Sequence, residues 1–278
     1  MRKVTEIINP SPASDGAGVK LLRVFGGPGV ERFDPFLMLD EFGSYNAEDY
    51  IAGFPSHPHR GFETITYMLE GKMEHRDHMN NVGLLSDGDV QWMTAAKGVI
   101  HSEMPKQTEG RMRGFQLWLN LARDKKLDPA RYQDIPAKEI PFLEFDFGSV
   151  KAIAGQGEIS AREIKGYMER PDTAPVLWDI RLNSKTPVYL NIDNAFNAFV
   201  YVFDGEVIVS GQKINAQKLA RLTGEGEIEI QADNAASLLV IAGRPLKEPI
   251  VQYGPFVMNS AEEIEQAIRD FQRGVFVS

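Results

Sequence analysis

"FPSHPHRGFETITYMLEG", residues 54–71, reads as extended chain that closes on a turn-type glycine, Gly71. Alternate side chains of a strand share a face, so His57, His59, Gly61 and Glu63 project the same way if no bulge intervenes. Two imidazoles about 6.5–7 Å apart along a strand can both reach one metal ion. A second pair stands in "KGVIHSEMP", residues 97–105, where His101 and Glu103 are again same-face neighbours behind a Lys97-Gly98 turn. Joining the two strands in one barrel brings three imidazoles and a carboxylate together. An isolated HxH is often a surface or structural feature, whereas its combination with HxE on a second strand is a far rarer spacing. Glu63 lies on the face of the paired histidines and competes with Glu103 for the carboxylate role.

Working outward, most of the chain is short runs rich in Val, Ile, Phe, Tyr and Thr, broken every 8 to 12 residues by Gly, Asp or Asn, the pattern of an all-β sandwich or barrel. "YMLEG" at 67–71 is echoed by "YVFDG" at 201–205, and Gly88-Asp89 follows the first as Gly224-Glu225 follows the second. This points to two copies of one β-barrel unit. Between them "LNLARDKKLDPARYQDIPAKEIP", residues 119–141, turns charged and proline-bearing, and Asp128-Pro129 can start one short helix. The expected division is a metal-bearing barrel over 1–125, a linker over 126–142, and a second barrel over 143–278. That second barrel is expected to carry a closing helix at 260–274, where Ser260 and Glu263 form a capping box and Ile264, Ile268 and Phe271 repeat on one face. All five histidines precede the linker, so the second barrel has no imidazoles for a metal site.

The bulk numbers narrow the chemistry. Zero cysteines exclude disulfides and thiolate ligands, which leaves imidazole and oxygen donors and so Fe(II), Mn(II), Ni(II), Cu(II) or Zn(II). Four protein ligands on an octahedral ion leave two positions open, a geometry suited to oxygen chemistry. Thirty basic against thirty-nine acidic side chains give a net charge of −9, which argues against nucleic acid or an anionic membrane surface as the partner. No signal-type apolar core follows the first residues and no uncharged apolar run approaches membrane-spanning length, so a cytoplasmic address is expected. His75 and His78, in "MEHRDHMNNVG", read as exposed loop residues, and Trp92, Phe115 and Trp118 read as core aromatics.

The stretches "HPHRGFETITYMLEG", "GDVQWMTAAKGVIHSEMP" and "DPFLMLDEF" resemble, in order, the pirin family of the cupin superfamily. The second half is similar in more general form, through "VYLNI", "YVFDG" and "VIAGRPLKEPIVQYGPFVMN". The resemblance implies two jelly-roll cupin barrels facing each other, with a short linker helix and a C-terminal helix. It implies one metal, usually iron, in the first barrel, held by His57, His59, His101 and Glu103, with Glu63 orienting an imidazole or a water from outside that set. Glu63 matches the carboxylate of the broader cupin pattern HxHxxxE, while pirins place theirs at HSE. Gln116, in "GFQLWLN", is a candidate for the cavity wall beside the metal.

The activity implied is that of quercetin 2,3-dioxygenase, in which dioxygen opens the flavonol heterocycle and carbon monoxide is released. Glu103 would then also help take the proton of a phenolic or flavonol substrate. Two alternatives use the same ligands. One is a regulatory protein whose ion orders a surface for a protein partner, as described for eukaryotic pirins, and the other is a zinc isomerase or hydrolase of the cupin type.

Overall fold

The computed structural model describes residues 1–27 and 29–277, and its sheets are built from antiparallel strands. It divides into two units, one of Ser11–Ala137 with the segment from Leu246, the other of Met1–Pro10 with Lys138–Pro245. No helix among the described residues is long and apolar enough to cross a membrane.

The histidine-bearing unit has a seven-stranded sheet in the order Arg131–Ile135, Val90–Thr94, Phe62–Glu70, Met112–Asn120, Phe36–Ser44, Val19–Phe25, Ser11–Asp15. Its second sheet has four strands, Phe54–His59, Val99–Pro105, Met73–Asp77 and Val82–Leu85. The other unit repeats the plan. Its seven-stranded sheet runs Lys3–Ile8, Lys218–Thr223, Asn197–Asp204, Ala236–Gly243, Val176–Leu182, Gly148–Ala154, Phe142–Phe145, and a six-stranded sheet accompanies it. The internal echo is thus structural: "YMLEG" and "YVFDG" end the third strand of each large sheet, and Gly71 and Gly205 both turn out of it at positive φ, 104° and 76°.

The units are discontinuous in sequence, unlike the consecutive division 1–125, 126–142, 143–278. Lys3–Ile8 pairs with Lys218–Thr223, from Lys3 opposite Thr223 to Ile8 opposite Leu219, and so covers an edge that would otherwise expose unpaired backbone groups. The helix, Ala261–Gln272, belongs to the histidine-bearing unit. Its capping box of Ser260 and Glu263 is formed in both directions, and Ile264 and Ala267 pack with Phe256, Met258 and Phe276. Phe271 stays 43% exposed and does not share that buried stripe. The expected helix behind Pro129 does not form. Arg131–Ile135 becomes a strand on Val90–Thr94 instead, and the only helical turns of the connection are the 3-10 segments Arg123–Lys125 and Ala137–Glu139. Edge pairing with a strand some forty residues away outweighs local propensity there.

Two buried cations tie the closing segment to the strand that carries the histidines. Lys126, 1% exposed, donates to the Gly61 carbonyl (2.7 Å), Asn120 Oδ1 (2.6 Å) and the Val257 carbonyl (3.0 Å). Arg60 pairs with Asp270 at 2.7 Å, donates to the Phe276 carbonyl at 3.1 Å and stacks on the Phe276 ring. His59 therefore ends a strand anchored on its next two residues.

One difference between the units decides where chemistry can occur. Five residues before Gly205 stands Val200, and the row through it across the sheet, Ala220, Val200, Val240, Trp178, Ala152, is wholly buried and apolar. Five residues before Gly71 stands Thr66, and the matching row is Gln91, Thr66, Gln116, Asp40, Arg23. A row of polar side chains where the sister barrel has core costs folding free energy, and such groups are retained where they are paired or meet a ligand.

Candidate metal centre

Phe54–His59 and Val99–Pro105 pair antiparallel with His101 directly opposite His57, and His57 and His59 share a face by strand alternation. One nitrogen from each of His57, His59 and His101 lies within 4.8 Å of the other two. His57 Nε2 and His59 Nε2 are 2.9 Å apart. His57 Nδ1 lies 2.8 Å from the Pro55 carbonyl. A carbonyl only accepts, so Nδ1 carries the proton and the Nε2 lone pair is directed into the cluster. Burial holds His59 and His101 well below the ordinary imidazole pKa, and the neighbouring imidazoles push the same way. Both are neutral near pH 7, the form that ligates. His101 Nε2 is buried with no partner. Three imidazoles converging on one point, with the buried Nε2 of His101 left unpartnered, fit a divalent ion.

Glu103 is 4% exposed and follows a register shift on the same strand. It lies beside the triad and outside its tight cluster. Oε1 is 3.0 Å from Thr66 Oγ1 and Oε2 is 3.5 Å from Gln116 Nε2. Thr66 Oγ1 is also 2.6 Å from Gln116 Oε1, and its single proton serves one of the two acceptors at a time. Thr66, which the sequence reading did not single out, is thus the link between Glu103 and Gln116. His57, His59, Glu103, Gln116 and Trp118 line one cavity of about 630 Å³, in the range of small-molecule sites.

Two expectations are corrected. Glu63 does not continue the histidine strand, because the chain turns at Gly61, where φ is +91°. It lies on Phe62–Glu70 in the other sheet, 1% exposed, and accepts from Thr94 Oγ1 at 2.6 Å. His75 is not an exposed loop residue. It is 1% exposed on Met73–Asp77, opposite Glu103, with Nδ1 3.3 Å from His101 Nδ1 and its ring centroid 5.3 Å from that of Tyr132. The alternation of "MEHRD" carried the signal: Met73 and His75 point in, while Glu74 and Arg76 pair outside at 2.7 Å. His78 does sit in the turn that follows, half-buried. Trp92 and Phe115 are core, as expected, while Trp118, 9% exposed, packs on Phe62 and also faces the cavity. Asp40 is 2% exposed, and burial pushes its carboxyl up from the ordinary range against the pull of Arg23.

Two β-barrels of one plan, with imidazoles gathered in one of them, define a two-domain cupin with a single candidate metal pocket among the described residues. Residues 18–119 match the Pirin family and residues 177–277 match the Pirin C-terminal cupin domain. A Pseudomonas aeruginosa protein named "Putative quercetin 2,3-dioxygenase" is 55% identical, over 99% of this chain and 98% of its own length. Pirin of Rattus norvegicus is 39% identical over 98% of this chain and 92% of its own. The crystal structure of a quercetin 2,3-dioxygenase from Acinetobacter baumannii superposes with a TM-score of 0.90 at 34% identity, covering all of this chain and 99% of that one. The chain belongs to the pirin family.

Proposed function

We propose that His57, His59, His101 and Glu103 hold one divalent ion, iron(II), and that the protein is a quercetin 2,3-dioxygenase. The observation that carries this reading is the convergence of three imidazoles at the wall of a cavity large enough for a ring system. Names borne by full-length relatives support it. The ion supplies Lewis acidity and, as iron, access to dioxygen. The chain's own part is to bind, orient and move a proton. His57 is aimed by the Pro55 carbonyl. Glu103, steadied by Thr66 and Gln116, takes the proton of the flavonol hydroxyl beside the ring carbonyl. Both atoms of dioxygen enter the depside, one on each ring carbon flanking the hydroxyl-bearing carbon. That carbon's two ring bonds break, it leaves with its own oxygen as carbon monoxide, and the proton held by Glu103 returns to the depside.

The test is iron-loaded full chain with quercetin in aerated buffer. Carbon monoxide and the depside are expected in equal amounts with the oxygen consumed, and Glu103→Gln is expected to lower kcat by about 100-fold or more. Metal bound without any turnover by the native protein overturns the dioxygenase reading.

His75 belongs to the same proposal as the residue that orients His101. With His101 Nε2 on the ion, its Nδ1–H donates to His75 Nδ1 at 3.3 Å, which fixes the ring and its tautomer. His75→Phe keeps a ring there and removes the acceptor. Competition against a chelator is expected to show metal affinity about 10- to 100-fold weaker, with the fold retained by circular dichroism.

A further inference from the structure

The polar row across the large sheet continues past the metal pocket. From Thr66 it runs through Gln116 and Asp40 to Arg23, three strand spacings or about 14 Å away. All four side chains line the same cavity. Leu21, Met38, Phe42 and Met73 add apolar surface to its wall. At the far end Arg23 is held in a two-point grip by buried Asp40, Nε to Oδ1 at 3.0 Å and Nη2 to Oδ2 at 2.7 Å. Nη2 also meets Asp15 Oδ2 at 3.3 Å. The third nitrogen, Nη1, has no partner among the described residues. Trp118, whose ring centroid is 5.3 Å from that of His59, has its Nε1 as a buried donor without a partner, and Gln252 Oε1, in the same lining, is a buried acceptor without one.

The charge balance at the far end selects among possible occupants. One guanidinium faces two carboxylates, so the net charge is negative and an anionic substituent gains nothing there. A hydroxyl fits both halves of the site, accepting from Arg23 Nη1 and donating to the Asp15 carboxylate. We propose that Arg23 and Asp15 are specificity-determining residues that read hydroxyl groups on the substrate ring remote from the metal and disfavour a carboxylate in the same place. This rests on the reading above in taking a metal-chelating ring compound as the occupant, and it names the feature of that compound which the protein selects.

The test is equilibrium binding to the iron(II)-loaded full chain under argon, read by fluorescence quenching. The probes are 3-hydroxyflavone, which has the chelating oxygens alone, quercetin, which adds hydroxyls on both outer rings, and a 3-hydroxyflavone carrying a carboxylate on its pendant ring. The native protein is expected to bind quercetin about tenfold more tightly than 3-hydroxyflavone, and the carboxylate more weakly than 3-hydroxyflavone. Arg23→Gln and Asp15→Ala are each expected to bring the quercetin preference to within about twofold. Asp15 is 52% exposed in its side chain, so its variant keeps the test alive if Arg23→Gln does not fold. A native protein without the preference, a preference that survives both substitutions, tighter binding of the carboxylate, or no binding of any probe overturns the proposal. Admitting oxygen afterwards separates the two readings, since a collapsed preference without carbon monoxide overturns the dioxygenase alone.

Discussion

Alanine at His57 is expected to give a folded protein that leaves purification from iron-rich medium with almost no metal, where the native chain carries close to one ion. The position favours a clean result. His57 is half-buried on an edge strand of the four-stranded sheet, and its backbone pairing with Val99–Pro105 does not involve the imidazole. What disappears is a nitrogen of the triad on a ring that the Pro55 carbonyl holds from its other side. Loss of an outer partner costs metal sites about 10- to 100-fold in affinity, and loss of a ligand costs more. Glu63→Gln is the contrast. Glu63 lies on a strand of the other sheet and accepts from Thr94, so its variant is expected to keep its metal. Elemental analysis of the two variants beside the native protein decides the matter. A full complement in His57→Ala removes His57 from the ligand set, and metal loss in Glu63→Gln restores Glu63 as the carboxylate.

The parts of this site that could be read in the sequence are those whose geometry is local. Strand alternation places His57 with His59 and His101 with Glu103 without knowledge of the rest of the fold, and a capping box announces the closing helix within four residues. Period two also held the position of His75, but the turn residues Asp77, Asn80 and Asn81 drew the loop boundary too far back over it. The break at Gly61 was hidden for a different reason. What demands a glycine there is the backbone of Val257, nearly two hundred residues on. The polar row has the same character. Arg23, Asp40, Thr66, Gln91 and Gln116 look like unrelated polar residues in mostly apolar runs, and only the register of five strands shows that they adjoin. The strand Lys3–Ile8 gives no local sign that its partner is Lys218–Thr223. Long-range pairing is set by which edges remain open once the nearer hairpins have formed, and periodicity carries no record of that.

Gly61→Ala is expected to do more damage than any other single methyl group in the histidine-bearing unit. The residue turns the chain between Phe54–His59 and Phe62–Glu70 at φ +91°, a conformation that costs an L-residue about 1–3 kcal/mol. A Cβ there would also overlap the Val257 carbonyl oxygen and come within 3.0 Å of Met258 Sδ. The carbonyl cannot simply retreat. It accepts from Lys126, whose ammonium also holds the Gly61 carbonyl and Asn120, so moving it disturbs a buried cation and its three oxygens. Overpacking of this kind adds about 1–3 kcal/mol to the backbone strain. A total of about 2–6 kcal/mol corresponds to a melting temperature lower by roughly 4–24 °C for a unit of this size. His59 is two residues away and Arg60 is the anchor of the closing helix, so the same shift misaligns the triad. Metal added to the native protein should raise its melting temperature, and that increment should shrink in Gly61→Ala along with the apo value. An apo melting temperature equal to that of the native chain would show that the Val257 segment yields freely, and that the Gly61 turn does not position the metal ligands.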